Sequence, residues 1–276
     1  MRANVAKCVY LQKAQNPEIE IIVKKFKNVI SLGYFCSVAR ELEKSGLRDA
    51  SFPFDWLISD FKGVIQCVEN GFQDFLDIKY LSQNKNDRSH YKNLKYQFYF
   101  FHDFDGFKPL EDQLPEVQAK YKRREERFFD AIKDSTLFVR YISNEEKTPD
   151  GKSTELEWIE QNYDHIQSVL KKFNPDNEIL FISNDGVLSD KIKIYNVAPD
   201  KGKWVAEKFL KKSTALSELF TNFEHKNKDE NIKIYLEKRR QKRKIFSALR
   251  FLLEPILKKL FCKEYVYSVE YDIKDK

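Results

Sequence analysis

The chain has 276 residues with 42% hydrophobic and 33% charged residues and a formal net charge of +6, a balance typical of a folded globular protein. This composition excludes a mainly disordered, collagen-like or linker-like chain. The four cysteines, Cys8, Cys36, Cys67 and Cys262, are far apart and form no CxxC pair, which argues against a structural zinc site and a disulfide framework. We expect no metal and no cofactor.

The chain is expected to divide into three parts: a peripheral lead-in at 1–26, an α/β domain at 27–223, and a charged junction with a basic amphipathic tail at 224–276. The beginning of the chain has no uninterrupted apolar segment of the signal-peptide kind, and no later segment reaches the ~20 apolar residues of a membrane span. We therefore expect a cytoplasmic protein.

Apolar runs that predict strands alternate with 3–4-spaced apolar patterns that predict helices. The expected strands are at 29–32, 96–104, 136–142, 178–183 and 191–197; the expected helices start near 36, 60 and 116 and cover 156–173 and 204–223. Residues 82–91 are predicted to be a polar loop. Short apolar strands separated by helices indicate βαβ units, so the predicted fold is three-layer α/β/α with a mostly parallel sheet.

Residues 236–263 carry ten basic and two acidic side chains, so the positive charge of the chain is local to its tail. The remainder is slightly acidic, which argues against a nucleic-acid-binding protein. Apolar residues at 3–4 spacing from Ile245 to Leu260 predict a basic amphipathic helix that Pro255 kinks. This helix either lies on an anionic membrane surface, as a peripheral contact through Leu236–Lys263, or docks on the sheet with its charges solvated.

The most informative stretch is Asn28–Leu42, where an apolar run passes through Gly33 directly into a helical pattern. Cys36 is expected at the helix N-terminus, where the macrodipole and the unpaired backbone N–H groups lower the pKa of a thiol. Two other interpretations stay open. Cys36 is a small buried side chain, or the turn binds a phosphate.

A thiol nucleophile needs a base, and the sequence offers His90, His102, His165 and His225. His102 is the strongest candidate because it ends an aromatic strand, where a parallel sheet presents its side chains to an active-site rim.

An ordered series of motifs resembles the bacterial family DUF1796, which is labelled papain-like cysteine peptidase. The motifs are Ser31-Leu-Gly-Tyr-Phe-Cys36, Gly46-Leu-Arg48, Ser51-Phe-Pro-Phe-Asp-Trp56, Phe101-His-Asp-Phe104, Tyr121-Lys-Arg-Arg124 with Arg127-Phe128, and Leu137-Phe-Val-Arg140. The resemblance covers about residues 27–197. It implies Cys36 as nucleophile and His102 as base, with Asp55 or Asp103 as the carboxylate that orients the imidazole. The family label implies a helical lobe and an antiparallel barrel, whereas the residue pattern predicts a parallel sheet.

Several residues are candidates for substrate binding: Ser31, Gly33, Ser37, Arg124 and Arg140. Arg140 lies inside a predicted buried strand, where an unpaired guanidinium is costly. A salt bridge to Asp55 or Asp103 explains it, and so does a bound carboxylate or phosphate.

Three functions follow from these patterns. The first is a cysteine peptidase or a thiol-dependent acyl hydrolase or transferase, acting on a peptide or a small molecule. The second is a transferase in surface polysaccharide or lipid-linked sugar metabolism, with the turn holding phosphate and the tail at the membrane. The third is a non-catalytic binding protein of the same fold. The sequence names no substrate and no oligomeric state.

Overall fold

A computed structural model describes residues 26–184, 187–197, 210, 213–221, 223 and 225–260. The chain forms two compact units, Met1–Ile232 and Lys233–Lys276. The described strands are β1 (Asn28–Ser31), β2 (Leu57–Ser59), β3 (Leu81–Gln83), β4 (Tyr91–Asn93), β5 (Phe98–Phe100), β6 (Thr136–Tyr141), β7 (Glu178–Ser183) and β8 (Ile194–Asn196). The described helices are α1 (Cys36–Lys44), α2 (Phe61–Glu69), α3 (Leu110–Ala131), α4 (Thr154–Gln161), α5 (Tyr163–Lys171), α6 (Thr214–Thr221) and α7 (Lys228–Leu260).

A four-stranded parallel sheet in the order β1-β6-β7-β8 lies at the centre of the first unit. All six residues of β6 are buried, as expected for a strand covered on both faces. The predicted α/β class with a mostly parallel sheet is confirmed.

Each face of this sheet packs against its own helices, which gives the three layers. On one face, Val29, Val139 and Ile182 pack with apolar side chains of α1 and α6. On the other face, Ile30 and Phe138 join a larger core formed by α2 to α5 and a second sheet. The alternation of β1 and β6 side chains between the two cores follows the two-residue period of a strand.

The second sheet is antiparallel, with the order β2-β5-β4-β3, and it lies in the chain between β1 and β6. Of its strands, only β5 was predicted, within the longer range 96–104. The polar segment 82–91 was predicted as a loop, but its two ends pair as β3 and β4, with Gln83 opposite Tyr91. A three-residue strand with exposed polar side chains has no apolar alternation to detect, which explains the wrong prediction.

The helices also differ from the predicted boundaries. The helix expected near Glu116 begins earlier, at Leu110, and the one expected over 156–173 breaks at Asn162 into α4 and α5. The predicted charged junction, which opens the segment 224–276, contains the start of α7 at Lys228. Residues 1–25 of the predicted lead-in and residues 261–263 of the predicted tail helix lie outside the described residues. So do residues 204–209, 211, 212 and 222 of the predicted helix 204–223. Over the part of the chain that the structure describes, no helix is long and apolar enough to cross a membrane.

Candidate functional site

The turn between β1 and α1 lies at the carboxyl edge of the parallel sheet. Gly33 has φ +84°, which glycine adopts without steric penalty, and its N–H donates to Ser31 Oγ over 3.1 Å. The Gly33–Tyr34 peptide bond is cis. Phe35 precedes the helix in extended conformation and gives it no side-chain cap, and Cys36 is the first helical residue.

Cys36 is half-buried at this helix N-terminus. One turn along the helix, Arg40 Nη2 lies 3.9 Å from Cys36 Sγ, so a guanidinium faces the sulfur. Both a helix N-terminus and a nearby cation favour the thiolate form of a cysteine. Cys67 is a contrast, because it is fully buried on α2 and burial raises the pKa of its thiol well above the usual value.

Arg140 is completely buried in β6 and ties the Cys36 turn to two other elements. Its Nη1 donates to Leu32 O and Ser59 Oγ, each over 2.9 Å, and its Nη2 donates to Ser59 O over 2.7 Å. Nε donates to Glu155 Oε1 over 2.9 Å, and Nη2 bonds the same oxygen. An arginine has five N–H donors, and these contacts use all five.

The buried guanidinium is therefore paired inside the protein, but its partner differs from the expected ones. The predicted salt bridge to Asp55 or Asp103 is wrong; the partner is Glu155, on the first turn of α4. Glu155 Oε2 also accepts the Ser143 N–H over 2.6 Å. Nothing in the spacing of Arg140 and Glu155 indicates this contact, because the loop between them determines it.

Tyr34 connects the Cys36 turn to two neighbouring segments. Its carbonyl accepts the Ser59 N–H over 2.8 Å, and its hydroxyl donates to Glu145 Oε2 over 2.7 Å. Burial, reinforced by Glu145, raises the pKa of Tyr34. The turn is thus held by β2 on one side and by the loop after β6 on the other.

Asp55 is fully buried, and the partner of its carboxylate is Arg48. Arg48 Nε and Nη2 donate to Oδ2 over 2.9 and 2.7 Å, and the Phe52 N–H donates to the same oxygen over 2.8 Å. Oδ1 is buried without a hydrogen-bond partner. The charge of Arg124, half-buried on α3, acts on this carboxylate, and Arg124 Nη1 is also buried without a partner.

His102 is exposed just beyond β5 and lines a polar cleft of about 280 Å³. The cleft is lined by His102, Asp103, Phe104, Asp105, Lys108, Gln113, Glu116, Val117 and Lys120. Asp103 accepts from Lys120 Nζ over 2.5 Å and from the Tyr121 hydroxyl over 3.0 Å. The carboxylates proposed to orient the imidazole are thus engaged by Arg48, in the case of Asp55, and by Lys120 and Tyr121, in the case of Asp103.

Strand pairing gives the relation between the two candidate catalytic residues. Ser59, which contacts the Cys36 turn through Tyr34, pairs with Phe98 at the start of β5. His102 follows the other end of that strand. The Cys36 turn therefore contacts one end of the β2–β5 pair, and His102 follows the other end. Because β5 belongs to the antiparallel sheet, the predicted position of His102 at the edge of a parallel sheet is wrong.

The predicted substrate-binding residues fall into two groups. Ser31, Gly33 and Arg140 are brought together at the turn, and Ser37 is buried in the first turn of α1. Arg124 lies apart, next to Tyr121 and Asp55. No group of three or more His, Cys, Asp or Glu side chains suitable for a metal ion is found within the described ranges.

Sequence reasoning missed Arg40, Arg48, Tyr34 and Glu155. The four-residue separation of Cys36 and Arg40 on a predicted helix is a signal that could have found Arg40. Arg48 was noted only as part of a motif. Glu155 has no comparable signal in the sequence.

Comparisons with known proteins agree with the motifs. The family described as "Putative papain-like cysteine peptidase (DUF1796)" matches residues 27–185, more than half of the chain. "Uncharacterized protein R408" of Acanthamoeba polyphaga mimivirus is 31% identical over 176 residues, covering 56% of this chain and 77% of the viral protein. No solved structure matches the chain significantly.

Proposed function

The chain belongs to the DUF1796 family, and on this premise we propose that it is a thiol-dependent hydrolase of the cysteine-peptidase type with Cys36 as its nucleophile. One observation carries the proposal: Cys36 is the first residue of α1, directly after the carboxyl end of a buried parallel strand, with Arg40 Nη2 3.9 Å from its sulfur. This position combines partial exposure with two sources of positive potential.

In the proposed reaction, the Cys36 thiolate attacks the carbonyl carbon of a peptide or another acyl compound. The carbonyl electrons move to oxygen, and the backbone N–H groups of the first turn of α1 stabilise that oxyanion. The tetrahedral intermediate then collapses to a thioester, and the leaving group takes a proton. Water hydrolyses the thioester and regenerates the thiol.

His102 is the proposed proton carrier, as the family resemblance implies. In this structure the positive potential at Sγ comes from Arg40 and the helix, and His102 lies beyond the far end of β5. For His102 to carry the proton, its imidazole has to reach the leaving group when the substrate is bound. A substrate that spans Cys36 and His102, or a shift of the segment after β5, would allow this. Formation of the Cys36 thiolate does not require a contact with His102 before the substrate binds.

The contacts of Arg140 argue against one form of the rival function, a transferase in which Arg140 helps the turn to hold phosphate. Its guanidinium directs all five N–H groups to internal acceptors. Glu155 also neutralises its charge. Arg140 therefore supports the turn and leaves no donor for an anion.

Thiol alkylation tests the proposal. The rate of iodoacetamide labelling is measured across pH by peptide-resolved mass spectrometry on the wild type, Arg40→Gln and Arg123→Gln, the last a control that removes an exposed arginine from α3. Cys36 is expected to label at pH 7 about tenfold faster than free cysteine, and Arg40→Gln is expected to slow it severalfold. Cys67 should stay unlabelled in the folded protein because it is buried.

Turnover of peptide and thioester substrates supplies the second measurement. Cys36→Ser should abolish hydrolysis while leaving the thermal unfolding temperature near that of the wild type. His102→Ala should lower the rate at least a hundredfold if His102 carries the proton. Labelling of Cys36 no faster than free cysteine, together with full activity of Cys36→Ser, would refute the proposal.

A further inference from the structure

The second unit of the chain consists of α7 from Lys233 onward and the residues after it. Helix α7 runs from Lys228 to Leu260 without a break, 33 residues in all. At ~1.5 Å per residue, such a helix is about 50 Å long. The thiol chemistry proposed above uses none of its residues.

Every residue from Leu236 to Ile245 is exposed. Six of these ten residues are basic and one, Glu237, is acidic. The basic residues are Lys238, Arg239, Arg240, Lys242, Arg243 and Lys244. So dense a cluster of one charge sign repels itself, and it is stabilised by an anionic partner.

The helix also carries apolar residues at regular spacing. Ile245 is 58% exposed, and Leu249, Leu252, Ile256 and Leu260 follow it at intervals of three or four residues. In a continuous helix this spacing places them along one face. Arg250 and Lys258 fall outside that face. The basic cluster thus comes first along the helix and the apolar face follows it.

We propose that α7 binds the surface of an anionic lipid bilayer, lying parallel to it with the apolar face inserted among the acyl chains. This partner is the one that offers both chemistries: phosphate headgroups for the arginines and lysines, and hydrocarbon for the leucines and isoleucines. A nucleic acid would leave the apolar face without a partner. A second copy of α7 would bring together two helices that each carry eleven basic and only four acidic side chains, so most of the positive charges would have no acidic partner.

Vesicle sedimentation of the full chain tests this inference. The probes are phosphatidylcholine vesicles and vesicles in which about one lipid in four is phosphatidylglycerol. The wild type is expected to bind the anionic vesicles and to remain in solution with the neutral ones. The triple variant Lys242→Glu/Arg243→Glu/Lys244→Glu should bind at least about tenfold more weakly.

The matched control is Lys122→Glu/Arg123→Glu/Arg127→Glu, which makes the same charge change on three exposed residues of α3. It should bind anionic vesicles within about twofold of the wild type, because it leaves every charge of α7, the proposed contact with the bilayer, unchanged. Circular dichroism verifies that each variant keeps its helix content.

The variant Leu249→Gln/Leu252→Gln separates a membrane from other polyanions. It keeps every charge, and it should bind anionic vesicles about tenfold more weakly while its weak binding to duplex DNA stays unchanged. The inference is overturned if the wild type binds neither kind of vesicle, if the two triple variants lose binding equally, or if the apolar variant binds as well as the wild type. Tighter binding to duplex DNA than to anionic vesicles would also overturn it.

Discussion

Gly33 shows how strictly a single position controls the Cys36 turn. Its backbone has φ +84°, and a side chain there would overlap Ser59 Oγ and press on Arg140 Nη1. The glycine in the sequence correctly predicted a tight turn after β1. The sequence could not show that a serine of β2 and an arginine of β6 lie against it, because both contacts join elements far apart in the chain.

Gly33→Ala is expected to lower the free energy of unfolding by about 3 kcal/mol, from backbone strain and overpacking together. Gly151→Ala is a matched control, because Gly151 has the same φ of +84° but open space around it. The control should cost about 1 kcal/mol or less, since only the backbone strain remains. Urea unfolding of both variants measures the difference, and equal losses would show that Ser59 and Arg140 do not crowd the turn.

The stability of the folded protein depends on pH through Glu125, which is half-buried on α3. Burial, with a smaller effect from Glu126, raises the pKa of Glu125 from 4.5 to about 7. Between these two values the folded state binds more protons than the unfolded state, so stability falls as pH rises through this window.

Glu125→Gln removes this effect. The variant should be more stable than the wild type by about 1 kcal/mol at pH 8, after allowance for solvent screening, and should equal it near pH 4. Urea midpoints at the two pH values measure the change. Glu126→Gln is the comparison and should give a smaller gain. A gain for Glu125→Gln that is the same at both pH values would contradict the assignment.

At the scale of elements, the side chain of Asn177 shows how one residue connects two helices and a strand. This buried side chain donates to the carbonyls of Ile132 and Leu170 over 2.9 and 3.0 Å and accepts the Thr136 N–H over 2.9 Å. It thereby joins the end of α3, the last turn of α5 and the start of β6. Each of these backbone groups would otherwise be buried without a partner.

Asn177→Ala is expected to cost about 3 kcal/mol, because three backbone groups lose their hydrogen bond. Asn174→Ala removes a half-buried amide that donates to Lys133 O over 2.7 Å and accepts the Asp176 N–H over 2.9 Å. Both bonds lie near the surface, where water can replace them, so this variant should cost only about 1 kcal/mol. Chemical denaturation of the two variants compares them directly. A similar cost for both would mean that water satisfies the groups that Asn177 leaves.

The elements that the sequence predicted well share one property: their signal is local. Strands β1, β6 and β7 are apolar runs, and α1 follows from Gly33 and the spacing of Val38 and Leu42. Strands β2, β3 and β4 have three residues each and exist through pairing with distant neighbours. Short strands of this kind depend on tertiary contacts, which periodicity does not encode.

For the whole molecule, the two units predict different effects of shortening the chain. A chain that ends at Ile232 keeps both apolar cores, as far as the described residues define them, and should melt within about 3 °C of the full protein. It should also keep the labelling rate of Cys36 and lose binding to anionic vesicles.

A chain that ends at residue 224 is the comparison. It also loses His225, whose Nε2 lies 3.2 Å from Asp49, and Asn231, which donates to Asp49 over 2.7 Å and to Gly46 O over 3.1 Å. Its melting temperature should fall by at least about 4 °C. Thermal unfolding compares the two chains, and an equal fall in both would show that residues beyond 232 contribute to the stability of the first unit.

The Arg140–Glu155 pair has a consequence for how sequences of this family can diverge. Because Glu155 is the acidic partner of a fully enclosed guanidinium, replacing either residue alone leaves a charge in the core without its counterpart. The two positions should therefore change together across the DUF1796 family. Where a neutral side chain stands at position 140, the aligned position 155 should also be neutral, and Ser59 should be free to vary with them.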